Sequence, residues 1–366
     1  MIINQISILN FKNLEQVDLS FSPKMNYLFG NNGMGKTNLL DALYYLSFCK
    51  NHTNLSDSQL IQQSKDFCML QGSYLFEDAT TEEIYCGIKR KHRKIFKHNK
   101  KEYEKLSEHI GLLPLVMISP ADSDLIQGGS DDRRKFVDMV ISQYDKLYLQ
   151  ALIKYNKALV QRNSLLKSND QFVDDTLFQI WEEQLDINGT LIYEKRKSFL
   201  TEFLPIFKEF HQSICGGKEE VGLSYQSQLS ETSLSFLLSQ KRERDKILGY
   251  TSVGVHKDDF DFLLGEHLMR KVGSQGQSKT YLIALKLAQF NFLVKTGSSV
   301  PILLLDDVFD KLDAERVEQI VKLVIQEQFG QIFITDTNRK YLDEILEKMN
   351  HHYKLFQVEN GNITEL

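Results

Sequence analysis

The string G-N-N-G-M-G-K-T at residues 30–37 constrains the fold of this chain more than any other feature. It fits G-x-x-x-x-G-K-[ST], follows an apolar run at 27–29 and precedes leucines at helical spacing. Such a strand–loop–helix setting lets backbone N–H groups surround phosphates at the start of a helix. We therefore predict an ATP or GTP site, rather than a glycine-rich turn without a ligand. The predicted nucleotide-binding residues are Gly30, Asn31, Asn32, Gly33, Met34, Gly35, Lys36, Thr37 and Asn38.

Two acidic residues that follow a strongly apolar segment complete the predicted site. Residues 301–305 read P-I-L-L-L, which is typical of a buried parallel strand, and Asp306 and Asp307 come next. Beside a phosphate-binding loop, the first carboxylate can hold Mg²⁺ together with Thr37, and the second can orient or deprotonate an attacking water. We therefore predict Lys36, Asp306 and Asp307 as catalytic residues, with Thr37 and Asp306 as the Mg²⁺ site.

The bulk composition limits the class of protein. The chain has 366 residues, 42% hydrophobic and 25% charged, and a net charge of −5, so contact with nucleic acid would require a local basic patch. Its four cysteines, Cys49, Cys68, Cys86 and Cys215, show no C-x-x-C spacing, which favours a reducing cytosol. Neither a signal peptide nor an apolar run of about 18 residues is visible, so we expect a cytoplasmic protein without a membrane span.

A third motif precedes the acidic pair by 32 residues. Ser274-Gln275-Gly276-Gln277 opens a helical pattern and is similar to the S-x-G-Q signature of ATP-binding-cassette proteins. In isolation the string would be an ordinary helix cap, but its position between the loop and Asp306 favours the signature. In cassette proteins the signature faces the nucleotide of the partner subunit. Asp313 resembles the D-loop aspartate of the same superfamily, and Thr335-Asp336-Thr337 stands where transporters carry a switch histidine.

Further strings resemble the RecF family of bacterial recombination and gap-repair ATPases across essentially the whole chain. The similar segments are L-N-F-K-N at 9–13, the loop with N-L-L-D-A at 30–42, S-P-A-D to R-R-K-F-V-D at 119–138, Y-N to Q-R-N-S-L-L at 155–166 and G-V-H-K-D-D at 254–259. The resemblance implies an ATPase head that dimerises with ATP and then binds DNA at gaps. It also implies RecR and RecO as partners, and slow hydrolysis that acts as a release switch.

The predicted fold is α/β, an ATP-binding-cassette head with flanking helices and an antiparallel β part. Proline and glycine are scarce between Pro120 and Pro205, where leucines and tyrosines recur at helical spacing. We therefore predict helices over 131–167 and 174–213 and a helical lobe at 121–214, too short for a long coiled-coil arm. The ATPase lobe would combine 1–120 with 215–366. Within it, residues 221–225 are expected to return to the main sheet.

A basic segment at residues 89–101 is the strongest candidate for DNA contact. It carries eight Lys or Arg and no acidic residue, with a hairpin turn expected near His98-Asn99. A solvated hairpin edge protected by lysines is the alternative. Segment 131–167, with eight basic residues against four aspartates, is a weaker candidate. The predicted DNA contacts are Lys89, Arg90, Lys91, Arg93, Lys94 and Lys97.

Two other function classes remain open at this point. One is a chromosome-tethering cassette head of the SMC or Rad50 type, although the chain lacks long heptad arms. The other is a P-loop kinase or metabolic ATPase, which would have no use for the signature string. His52, His92 and His256 could be functional or structural, and only His256 lies within a string shared with the family.

Overall fold

The computed structural model describes residues 1–53, 55–168, 175–297, 299–309, 312, 314–325, 329–337 and 353–366. Contacts divide the chain into two compact units. The P-loop unit comprises Met1–Asp122, Ser213–Cys215 and Leu282–Leu366, and the helical unit comprises Ser123–Gln212 and Gly216–Tyr281. This division places 216–281 with the helices, whereas the sequence analysis assigned those residues to the ATPase lobe.

The described residues form fifteen strands and ten α-helices. The strands are β1 (Ile2–Phe11), β2 (Leu14–Ser20), β3 (Met25–Phe29), β4 (Phe67–Leu75), β5 (Thr81–Lys89), β6 (Ile95–His98), β7 (Lys101–Glu102), β8 (Leu115–Ile118), β9 (Val221–Gln226), β10 (Asp259–Leu264), β11 (His267–Leu268), β12 (Ile302–Asp306), β13 (Ile332–Asp336), β14 (Tyr353–Glu359) and β15 (Asn362–Glu365). The helices are α1 (Lys36–Phe48), α2 (Asp57–Leu60), α3 (Asp124–Gln127), α4 (Ser130–Tyr144), α5 (Lys146–Lys167), α6 (Asp175–Cys215), α7 (Leu234–Leu248), α8 (Met269–Val272), α9 (Gln275–Thr296) and α10 (Ala314–Ile325). None of these helices is long and apolar enough to cross a membrane.

The mainly parallel sheet of the P-loop unit has the order β15-β14-β3-β13-β12-β8. Strand β3 leads into the loop at 30–37, and β12 ends at Asp306. Strand β13 pairs in parallel with both of them and therefore lies between the two halves of the predicted site. Residues 302–305 and 332–334 are buried, as expected for strands of a parallel sheet covered on both faces.

The antiparallel sheet of the same unit has the order β2-β1-β4-β5-β6-β7. Buried and more exposed residues alternate along β4 and β5, so one face of the sheet packs into the core. Strands β6 and β7 are joined by a two-residue turn in which Asn99 and Lys100 both have positive φ, 48° and 70°. This is the geometry of a type I′ hairpin, and it confirms the turn expected near this point.

Long helices dominate the helical unit and confirm the helical segments predicted around 131–167 and 174–213. The first segment is interrupted at Asp145, whose carboxylate accepts a hydrogen bond from the Tyr148 N–H at 2.9 Å and caps α5. Helix α6 runs for 41 residues with Pro205 inside it.

Strand β9 corrects one expectation. It was predicted to return to the main sheet, but it pairs with β10 in a separate sheet of order β11-β10-β9. The physical reason is cross-strand packing that sequence alternation does not identify. Tyr225 lies directly opposite Phe260, and their rings stack with centroids 4.7 Å apart.

Candidate functional site

The loop between β3 and α1 has the backbone shape that close approach to a ligand requires. Gly35 precedes α1 with φ of 119°, a conformation that side chains disfavour. At Gly30, a Cβ would lie 2.2 Å from the carbonyl oxygen of Val358 on β14. The loop therefore needs glycine at positions 30 and 35, and it leads directly into the N-terminus of α1. Backbone N–H groups at such a helix N-terminus can bind an anion.

The ammonium group of Lys36 is held inside this loop. Its Nζ donates to the carbonyl oxygens of Gly30 at 2.7 Å and Asn31 at 3.1 Å. Lys36 is buried, at 4% exposure. A buried ammonium group surrounded by loop carbonyls is available to an anion that enters the loop, because Lys binds phosphate as a point charge.

The acidic half of the predicted site meets the loop directly. The Thr37 hydroxyl lies 3.0 Å from both carboxylate oxygens of Asp306. Asp306 also accepts a hydrogen bond from the Thr335 hydroxyl at 2.7 Å. The structure thus brings together three residues separated by up to 298 positions (335 minus 37) in the chain.

The electrostatics of Asp306 fit a divalent cation. Burial raises the pKa of this carboxyl above its usual value, and the nearby acids Asp307 and Asp41 act in the same direction. The hydroxyls of Thr335 and Thr37 oppose that shift. Asp306 forms no ion pair with any residue in the described part of the chain. Asp306 and Thr37 thus offer a buried carboxylate and a hydroxyl, with no cationic side chain paired to the carboxylate among the described residues. Mg²⁺ prefers oxygen ligands of this kind.

Asp307 follows at the end of β12 in an unusual backbone conformation. Its φ is 45°, in the left-handed region that non-glycine residues rarely adopt. Its N–H donates to the Thr335 hydroxyl at 3.1 Å. Backbone strain of this kind concentrates at functional sites, and the role of Asp307 stays a prediction.

Sequence reasoning missed two supports of the loop. Asn13 accepts a hydrogen bond from the Asn38 amide at 2.7 Å. At the turn between β14 and β15, the Gly361 N–H donates to the Met34 carbonyl oxygen at 2.8 Å. Asn13 lies in the family-like string at 9–13. Gly361 follows Asn360, and an Asn-Gly pair indicates a turn, but the contact of that turn with the loop leaves no signal in the sequence.

The signature string forms the N-terminus of α9 and belongs to the helical unit. The Ser274 hydroxyl accepts from the Gln277 N–H at 3.2 Å, and the Gln277 side chain accepts from the Ser274 N–H at 2.9 Å. This reciprocal pair is a capping box. Ser274 and Gln275 are exposed, so the cap leaves a solvent-facing helix N-terminus. The fourth predicted element, Asp313, lies outside the described residues.

The basic hairpin, residues 89–101, contains exposed basic side chains and others that bond to neighbouring residues. Lys89, Lys91 and Arg93 are exposed, although the Arg93 guanidinium also donates to the Glu104 carbonyl oxygen at 3.3 Å. Lys94 differs: its ammonium donates to the Cys49 carbonyl oxygen at 2.7 Å and pairs with Asp57 at 3.1 Å.

Two further predicted contacts are also engaged. Arg90 donates to the carbonyl oxygens of Lys65 and Ser58 at 3.0 and 3.2 Å. Lys97 lies 5.7 Å from the Tyr85 ring centroid, within cation–π range. Of the six predicted contacts, Lys89, Lys91 and Arg93 are therefore the most open to phosphate.

The weaker candidate segment, 131–167, uses several of its basic residues internally. Arg162 is fully buried and pairs with Asp245 at 2.7 Å. Arg133 pairs with Asp259 at 2.8 Å and is likewise buried. These arginines stabilise the helical unit and are not available to a partner at the surface.

The three histidines singled out in the sequence differ in their environments. His256 is held between the Tyr155 hydroxyl at 2.8 Å and the Thr251 carbonyl oxygen at 3.1 Å, and burial lowers its pKa to about 4. The neutral ring accepts a hydrogen bond from the Tyr155 hydroxyl and donates one to the Thr251 carbonyl oxygen. His52 packs edge-on against Tyr44, and burial lowers its pKa as well. His92 is exposed on the basic hairpin.

Comparison with known proteins shows the family of the chain. Residues 2–364 match the family described as RecF/RecN/SMC N terminal domain. The chain is 64% identical over 363 residues to the DNA replication and repair protein RecF of Parabacteroides distasonis, covering 99% of both proteins. It is 61% identical over 366 residues to RecF of Bacteroides fragilis, covering 100% of this chain and 99% of that protein. The chain belongs to the RecF family.

Solved structures confirm the fold predicted for a RecF-family chain. The recombination mediator protein RecF with ATP, from the RecFOR pathway, is 29% identical with a TM-score of 0.89, covering 100% of this chain and 97% of that one. An Smc head bound to the C-winged helix domain of ScpA is 15% identical with a TM-score of 0.58, covering 100% and 98%. The second likeness concerns the fold alone. The α/β cassette-type head is thus shared with both groups.

Proposed function

We propose that this chain is an ATP-dependent DNA-binding protein of recombinational gap repair. In this proposal, an ATP-bound pair of heads holds DNA and slow ATP hydrolysis releases it. The observation that carries the proposal is the convergence of the loop at 30–37 with Asp306 through the Thr37 hydroxyl. ATP in a solved RecF structure that aligns over the whole chain also supports it.

Each residue of the site has a role that follows from its position. Lys36 would move from the loop carbonyls to the β and γ phosphates, and the N–H groups at the start of α1 would donate to phosphate oxygens. Thr37 and Asp306 would hold Mg²⁺, which when bound neutralises charge on the phosphates. Asp307 would orient the attacking water or accept its proton. Hydrolysis would yield ADP and phosphate.

The second half of the pocket would come from a second copy of the chain. The capped N-terminus of α9, where Ser274 and Gln275 are exposed, presents the positive end of a 22-residue helix dipole. In the dimer, Ser274, Gln275, Gly276 and Gln277 would face the γ-phosphate bound by the partner, and Asp313 would couple the two sites. ATP would then act as a bridge between the subunits of a DNA-holding dimer.

Partners and location follow from the family. The pathway named for the solved relative, RecFOR, supports RecO and RecR as partners in loading the strand-exchange recombinase. We place the protein in the cytoplasm at the nucleoid, on sequence-nonspecific DNA such as junctions of single and double strands. Nonspecific contact agrees with a basic hairpin that would reach phosphates rather than base edges.

The dimer proposal is tested by measuring mass and DNA affinity with and without ATP. We expect ATP to raise both the dimer fraction and the DNA affinity, the latter roughly 5–150-fold. Lys36→Ala and Ser274→Arg should abolish the gain. Ser233→Arg is the matched control, because Ser233 caps α7 in the same unit and is also exposed. A wild-type protein whose mass and DNA affinity ignore ATP would contradict the proposal.

The DNA surface is tested separately through the salt dependence of binding. Lys89→Gln with Lys91→Gln should weaken DNA binding and reduce the salt slope by about 2, since each lost phosphate contact removes about 0.9. Lys208→Gln with Lys218→Gln changes two exposed lysines of the helical unit and serves as the control. An unchanged salt slope in the hairpin variant would remove this segment from the DNA footprint.

A further inference from the structure

The end of strand β13 carries a polar side chain that the proposed mechanism does not use. Thr335 is fully buried in the P-loop unit. Parallel pairing places Thr335 opposite Asp306 on one side and Leu28 on the other. It therefore lies between the strand that leads into the nucleotide loop and the strand that ends in the acidic pair.

The Thr335 hydroxyl joins both members of the acidic pair. It donates to the Asp306 carboxylate at 2.7 Å and accepts from the Asp307 N–H at 3.1 Å. A hydroxyl has one proton to donate and lone pairs to accept, so both bonds can exist at once. The first bond orients the carboxylate plane of Asp306. The second holds the backbone of Asp307 in its left-handed conformation, which sets the direction of its side chain.

The Thr37 hydroxyl cannot replace this contact. It lies 3.0 Å from both oxygens of Asp306, so it does not by itself select one orientation of the carboxylate. In the proposed function it also supplies an oxygen to the cation. Thr335 is the donor to Asp306 that takes no part in cation binding, and such outer contacts commonly orient the residues that hold a metal.

We propose that Thr335 is a positioning residue that sets the geometry of Asp306 and Asp307 for Mg²⁺-dependent ATP binding and hydrolysis. This role rests on the proposed function of the site. It predicts that the Thr335 hydroxyl is needed when Mg²⁺ is present and dispensable for the contacts that Lys36 and the loop make with phosphate.

The test compares Thr335→Val, which replaces the hydroxyl by a methyl group, with Thr335→Ser, which keeps the hydroxyl. Binding of a fluorescent, non-hydrolysable ATP analogue is measured in EDTA and across a Mg²⁺ titration. We expect Thr335→Val to bind as the wild type does in EDTA, and to need about 10–100-fold more Mg²⁺ for the half-maximal gain in affinity. Its hydrolysis rate at fixed Mg²⁺ should fall by a similar factor. Thr335→Ser should stay near the wild type in both measurements.

Thr296→Val is the matched control, because it removes a hydroxyl that bonds a helix carbonyl of the same unit, that of Phe292, at 2.8 Å. Melting temperatures without nucleotide separate positioning from folding. Equal losses of affinity in EDTA and in Mg²⁺ would identify a structural role and overturn the proposal. A wild-type Mg²⁺ midpoint in Thr335→Val would overturn it as well. A wild-type protein that gains no affinity from Mg²⁺ would instead overturn the proposed function, and this role with it.

Discussion

Two polar clusters, one in each unit, differ in the partners of their carboxylates. In the helical unit, the guanidinium of Arg196 pairs with Asp138 at 2.9 Å and with Asp258 at 3.2 Å. In the P-loop unit, Asp306 accepts hydrogen bonds from hydroxyls and has no ion pair within the described residues. Removing one partner of a buried ion pair is costly, whereas Asp306 has neutral hydroxyl partners. The comparison therefore separates residues of the fold from residues of the site.

The family-like string at 254–259 also lies among paired residues of the helical unit. Its histidine is held neutral between Tyr155 and Thr251. Its two carboxylates, Asp258 and Asp259, each face an arginine. The string therefore connects β10 to the helices through hydrogen bonds and ion pairs.

The largest effect is expected when the paired cluster loses its cation. Arg196→Met would leave the buried Asp258 and the partly exposed Asp138 without their guanidinium partner, so the free energy of unfolding should fall by about 3–5 kcal/mol. Denaturant unfolding followed by circular dichroism measures this loss. Lys195→Met is the control, since Lys195 pairs with Asp145 while 44% exposed and should cost less than about 1 kcal/mol. Similar losses in the two variants would contradict the distinction between clusters.

A smaller effect is expected from acid. Burial lowers the pKa of His256 to about 4, whereas the unfolded chain titrates near 6.5. Below pH 6.5 the unfolded state binds a proton that the folded state refuses, so the stability due to the neutral ring is lost as pH falls from 6.5 towards 4. Between pH 7 and pH 5 this loss amounts to about 2 kcal/mol.

The histidine contribution is isolated by comparing the pH dependence of unfolding in the wild type and in His256→Gln. The variant should lose less stability on acidification, although it starts from a lower value at pH 7. His92→Gln, on the exposed hairpin, is the control variant. Parallel curves for the wild type and His256→Gln would show that another group titrates.

The smallest change in stability, with opposite sign, is expected at Asp306. Asp306→Asn removes a buried charge without an ionic partner and keeps an oxygen for the two hydroxyls, so unfolding without nucleotide should become about 1 kcal/mol harder. Mg²⁺-dependent ATP hydrolysis should be lost at the same time. Thermal unfolding without nucleotide, together with phosphate release, measures both. A variant that is less stable and still hydrolyses ATP would remove Asp306 from the site.

Local chemistry explains what could be predicted. The loop at 30–37 is contiguous, and its glycines, lysine and threonine must stand at fixed spacing to surround a phosphate. The acidic pair after an apolar strand and the capping box at 274–277 are also contiguous. Such segments are specified by near neighbours, so one sequence is enough to find them.

Packing explains what could not be predicted. The sheet that β9 joins depends on its stacking with β10. The engagement of Lys94 depends on the end of α1, and the support of Met34 depends on a turn more than 300 residues away. None of these contacts leaves a local pattern, because each joins segments that are distant in the chain.

The amino-acid sequence by itself determined the strings that predict a nucleotide loop, an acidic pair, a signature and a basic hairpin. The tertiary structure decided how the described members of that set meet. It placed β13 between β3 and β12, and thereby brought Thr37, Asp306 and Thr335 within hydrogen-bond distance. The physical reason is that strand order and register are set by the burial of whole apolar faces, which no single motif records.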